Sequence, residues 1–214
     1  MNLYQPTFEL VRAGYLRPTP AGAYRAVARP TPDAVSTFLR AVMRQPEMPW
    51  LDVPNLCALV GTEDPQVALS VLHAAQAEYF VEALDQPEPL PEGPLEDVVP
   101  HLLHELSDEG RIILADSDGL PVWYEGIDFD QAVRLAALSA DLGNVQARHA
   151  ETLALVDSRG ASAFALVDGL GASQLGCWPL HVGSTRFVLV AQGLPRMHHP
   201  HFTTLVWLLV RRYG

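Results

Sequence analysis

Lysine is absent. All 14 basic residues are arginines, and against 25 acids they leave a formal net charge of −11. Without lysine there is no P-loop and no Schiff-base nucleophile. The acidic balance excludes a general binder of nucleic acid or of anionic membranes, because phosphate contacts need Lys and Arg. Cysteine is nearly absent as well. Cys57 and Cys177 lie far apart and form no CxxC pair. That excludes a disulfide framework and a cysteine zinc site, and it fits a reduced, cytoplasmic protein. Long apolar runs are missing too. The longest, Leu205 to Val210, has six residues, whereas a membrane span needs about 20. The opening Met1-Asn2-Leu3-Tyr4-Gln5-Pro6 has no basic cluster and no apolar core, so no secretory signal is expected. Charged residues make up only 18% and hydrophobic ones 49%. This composition excludes a disordered chain and assigns part of the apolar excess to a subunit interface.

What is there divides in two. Pro87-Glu88-Pro89-Leu90-Pro91-Glu92-Gly93-Pro94 can continue neither a helix nor a central strand. It predicts a linker over 87–94, between a domain at 1–86 and a domain at 95–214. In the first, short strands are expected at Thr7 to Val11 and Ala23 to Val27. Thr31-Pro32 opens a helix carrying Val35, Phe38, Leu39 and Val42 on one stripe. A second helix fits Val53 to Val60 and ends at Gly61. Asp64 and Pro65 open a third, to about Tyr79, followed by a strand at Phe80 to Leu84. This order resembles a winged helix-turn-helix. A DNA reader would present Gln66, Ser70, His73, Ala74 and Ala77 to the groove. None of these makes a bidentate guanine contact or neutralises phosphate. Between Arg44 and Arg111 stand fourteen acids and no Lys or Arg. Protein contact is the expected role, with DNA reading as the alternative.

In the second part, Leu95, Val98, Val99, Leu102, Leu103 and Leu106 mark an amphipathic helix. Pro100 places its start near Asp97. Arg111 to Ala115 and Pro121 to Glu125 read as a hairpin around Asp116-Ser117-Asp118-Gly119. Asp128 and Gln131 form a capping box that opens a helix from about Phe129 to Leu153. Its wheel has two apolar faces. Leu135, Leu138, Leu142 and Val145 form the large one, expected on a sheet. Ala132, Ala136, Ala140, Gly143 and Ala147 form the small one, expected as the dimer interface. Three strands follow, at 161–167, 174–180 and 185–191, and then a helix from about Pro200 that ends in Arg211 and Arg212.

The segment Ile112 to Gly126, followed by Arg134-Leu135-Ala136-Ala137-Leu138-Ser139-Ala140, resembles the roadblock/dynein light chain domain: a strand ending in acid and glycine, a second strand, then an Ala-rich helix. The resemblance covers about residues 95–214. It implies an α+β fold, a five-stranded antiparallel sheet with helices on its faces, preceded here by the small, mainly helical winged-helix-like domain. It also implies a homodimer through the long helix and an edge strand, and a non-enzymatic platform for Ras-like small GTPases. The same topology resembles profilin-like and ligand-sensor folds, which makes a small-ligand sensor a third class.

Sites of chemistry are few. Asp97, His101, His104 and Glu105 read as a solvated helix face. His198, His199 and His201 read as a loop whose charge varies near neutral pH. Asp116 and Asp118 read as turn chemistry, because calcium needs more oxygen ligands. Trp123 and Trp178 read either as partner anchors or as core residues. No catalytic residue, metal or cofactor is expected. The expected partners are a second copy and a small GTPase or other signalling protein, without nucleic acid or membrane insertion.

Overall fold

The structure, a computed structural model, describes residues 7–156 and 163–214. The first part opens with strand β1 (Gly14–Pro18) and helix α1 (Pro20–Val27). Ala23 to Val27 is therefore helix, not strand. Thr19 caps it by accepting from the Gly22 amide at 3.1 Å, and Pro20 pre-sets the first turn. Thr7 to Val11 pairs in no sheet. Helix α2 (Ala34–Met43) is capped by Asp33, strand β2 is Trp50–Leu51, and helix α3 (Val53–Val60) is capped by Asp52. Gly61 closes α3 in the left-handed conformation, φ 77°. Helix α4 (Pro65–Ala77) is capped by Asp64, and strand β3 is Val81–Leu84. The sheet runs β2-β1-β3, all antiparallel. Its central strand precedes every helix of this part, and β3 follows α4.

The second part holds helix α5 (Leu95–His104), strands β4 (Ile112–Ala115) and β5 (Pro121–Glu125), helices α6 (Phe129–Arg148) and α7 (Ala150–Val156), strands β6 (Phe164–Val167), β7 (Ser173–Val182) and β8 (Thr185–Gln192), and helix α8 (Pro200–Tyr213). Helix α5 starts two residues before the expected Asp97, with Pro100 inside it. The expected single helix to Leu153 breaks at His149. Residues 161 and 162 of the expected third strand lie outside the described residues. The β4–β5 turn is held by Asp116, whose Oδ1 accepts from the amides of Asp118 and Leu120 at 3.0 and 2.9 Å. The sheet is antiparallel in the order β5-β4-β8-β7-β6.

Alternation along these strands separates two cores. Ile112, Leu114, Leu180, Val182, Phe187, Leu189 and Ala191 face one way, Ile113, Ala115, Leu175, Cys177, Val188 and Val190 the other. The first face meets α5 and α8, and α8 in turn packs on α1 and α2. Buried side chains from both sides of the proline-rich segment thus join one cluster, from Leu16 and Phe38 to Phe202 and Trp207. Polar contacts cross it as well. The Trp207 indole N–H donates to the Gln45 carbonyl at 3.0 Å, and Arg40 donates to the His181 carbonyl at 3.3 Å. Arg17, ion-paired with Glu82 on β3, also holds Glu88 in the proline-rich segment.

Candidate protein-contact surfaces

The second face of the large sheet is covered by α6, and the way α6 sits reverses the wheel assignment. Ala132, Ala136, Ala140 and Gly143, expected to meet a second subunit, are buried against the protein's own sheet and hairpin. Close approach explains the choice. A Cβ on Gly119 of the hairpin would stand 3.0 Å from the Ala137 Cα and 3.2 Å from the Ala140 Cβ. A Cβ on Gly143 would stand 3.4 Å from the Arg186 guanidinium. Only small side chains let the helix lie that near. Ala147, the fifth expected interface residue, is exposed.

The larger face is therefore split: Leu135 and Leu142 pack at the edge of the same core, and Leu138 and Val145 point outward. Leu138 is 43% exposed and Val145 41%, with Leu135 and Leu142 half-buried beside them. Apolar surface continues to both sheet edges. On β5, Val122 and Tyr124 are exposed, and the Tyr124 ring lies 6.2 Å from that of Phe129, the first residue of α6. On β6, Leu166 and Val167 are exposed. Exposed apolar side chains of α6 thus lie on the same sheet whose outer strands are β5 and β6. The tryptophans do not belong to this surface. Trp123 and Trp178 are half-buried and pack on the larger core.

On α4, all five residues that would face a DNA groove are exposed: Gln66, Ser70, His73, Ala74 and Ala77. The face is already partly covered. The Phe8 amide donates to Gln66 Oε1 at 3.0 Å, and Gln66 Nε2 donates to the Phe8 carbonyl at 3.2 Å. The Phe8 ring stacks on His73 with centroids 4.6 Å apart. This N-terminal arm carried no periodic signal that could have placed it.

Ionisable groups are arranged for structure. Among the described residues, no group of three His, Cys, Asp or Glu side chains could hold a metal ion. His199 caps α8, its Nδ1 accepting from the His201 amide at 3.2 Å. Burial, then the neighbouring His199, holds the His201 pKa below the usual histidine value, with Glu105 opposing. Burial, then Arg186 and Arg40, does the same to His181. Burial pushes the Cys177 thiol up to about 11, which makes it unreactive near neutral pH. A recess of about 560 Å³ opens between α1 and α8, lined by Pro20, Tyr24, Trp178, Met197 and Phe202 among others. Its walls are mostly apolar. Among the described residues, no helix is long and apolar enough to cross a membrane.

No family model matches the chain. No curated protein matches it either. Among solved structures, it is similar to a Roadblock/LC7 domain from Streptomyces avermitilis, with 19% identity over 56% of this chain and 98% of that one, at a TM-score of 0.37.

Proposed function

We propose that this chain is a non-enzymatic regulatory or adaptor protein of the cytoplasm. Residues 95–214 act as a roadblock-like unit that homodimerises and offers its surface to a Ras-like small GTPase or another signalling protein. Residues 1–86 contact a further protein. The observation that carries this reading is the uncovered leucine stripe of α6. Its small-residue face lies on the sheet, which leaves Leu138 and Val145 exposed for a second molecule, with Leu135 and Leu142 half-buried at their margins. An antiparallel pairing of two such helices covers Leu138 and Val145 of both copies in one isologous contact. The free β5 and β6 edges flank it and allow the sheet to continue across the pair.

The partner half of the proposal is tested by titrating the full chain against bacterial Ras-like GTPases loaded with GDP or with a non-hydrolysable GTP analogue. Binding that discriminates between the two nucleotide states supports a GTPase platform. Absence of binding across the set, with the dimer intact, removes the GTPase and leaves an adaptor for another class of protein.

A further inference from the structure

The outer face of α4 carries an occupant whose chemistry can be read. The segment Thr7 to Ala13 has no regular secondary structure and belongs to no sheet. Phe8 and Leu10 are half-buried against the core, and polar and ring contacts add to this. The Gln66 side-chain amide pairs with both polar groups of the Phe8 backbone, as a neighbouring strand would. His73 stacks on the Phe8 ring. Arg12 forms an ion pair with Asp85, which follows β3. The amide pair reads peptide backbone of any sequence, the stack reads an aromatic ring, and the carboxylate reads a cation four residues further on.

The arm fits its seat only in part: Phe8 and Leu10 are half-buried against the core, and the rest is exposed. Val11 is 95% exposed and contributes no burial. Glu9 adds a negative charge beside a helix that is flanked by Glu63, Asp64 and Glu78 and has no Lys or Arg. The Arg12–Asp85 pair is exposed at both partners, so it contributes little. No main-chain ladder has to break for the arm to leave.

We infer that the outer face of α4 is a docking site for an extended, basic segment of another protein, with an aromatic side chain and an arginine or lysine four residues on. The chain's own N-terminal arm is its competitor in cis. The inference rests on the reading of residues 1–86 as a protein-contact module, and is independent of dimerisation through α6. An arm tethered this closely has an effective concentration on the order of millimolar, so only a better-matched segment displaces it.

The probe is a fluorescein-labelled peptide with the chain's own residues 7–14, read by anisotropy. It is titrated against the wild-type chain, a chain lacking residues 2–9, and a full-length chain carrying Phe8→Ala and Arg12→Ala. The two arm variants are expected to bind at least about tenfold more tightly than wild type. In either background Gln66→Ala weakens binding by about tenfold, one to two hydrogen bonds' worth, and replacing Glu with Lys in the peptide strengthens it. Equal affinity for wild type and arm variants overturns the inference. So does failure of both arm variants to bind, or binding of a labelled DNA duplex by the arm variants in place of the peptide. Light scattering on the same samples reports the dimer separately.

Discussion

Replacing Trp207 with alanine tests whether the two parts of the chain share one core. Trp207 is 1% exposed, on α8, among side chains from both sides of the proline-rich segment. Truncating a buried tryptophan costs about 3–5 kcal/mol through lost transfer energy and the cavity left behind. Here it also orphans the Gln45 carbonyl that accepts the indole N–H. Trp207→Phe keeps most of the volume and loses mainly that bond, so it costs about 1–3 kcal/mol. A chain of this size loses about 2–4 °C of Tm per kcal/mol. Trp207→Ala is thus expected to melt about 6–20 °C lower. The decisive assay is native-state hydrogen exchange read peptide by peptide. With one core, amides of α2 in the first part and of β8 in the second lose protection by the same free energy. A variant in which β8 is weakened while α2 keeps its protection refutes the shared core and restores two independent domains.

Three further outcomes follow from the same structure. Gly119 has φ +82° and backbone of α6 at 3.0 Å from a built Cβ, so Gly119→Ala is expected to cost about 1–3 kcal/mol. Gly169→Ala, with nothing within 4 Å, serves as the near-neutral control in the same urea titration. His181 and His201 both have pKa values lowered in the folded chain. The unfolded chain therefore binds more protons below about 6.5, and stability falls as pH drops through that value. His181→Gln should flatten the slope of urea midpoint against pH between 5 and 7, and an unchanged slope contradicts the assignment. Native protein at pH 8 should react with a thiol reagent at half-exposed Cys57 and not at buried Cys177, as mass mapping of the adduct would show.

Local signals carried most of the second half. The Asp116 to Gly119 turn, the Asp128 cap and the strand alternation all depend on neighbours within a few residues, so the element order of the α+β sheet was readable. The Thr19-Pro20 pair is the same kind of cap that marks α4, yet Ala23 to Val27 reads equally as a strand, and only packing on α8 decides for helix. The wheel of α6 showed two apolar faces but not which turns inward. That depends on how closely the helix must approach the hairpin, a distance set by Gly119 far from the helix in sequence. The junction between the parts was unreadable for a similar reason. A proline-rich segment announces a break in secondary structure, and carries no information on whether Phe38 and Phe202 meet across it. The arm on α4 escaped because the Gln66 amide pair, the His73 stack and the Arg12–Asp85 ion pair join residues far apart in sequence.

The central claim is that α6 spends its alanine face on its own sheet and offers its leucine face to a second copy. The direct measurement is absolute mass in solution by light scattering, for the full wild-type chain and for a full chain carrying Leu138→Glu and Val145→Glu. Wild type should give twice the chain mass of 23.4 kDa. The double variant should give the single chain mass with an unchanged far-ultraviolet circular dichroism spectrum, because both substituted positions point away from the core. A monomeric wild type, or a double variant that stays dimeric, contradicts the account.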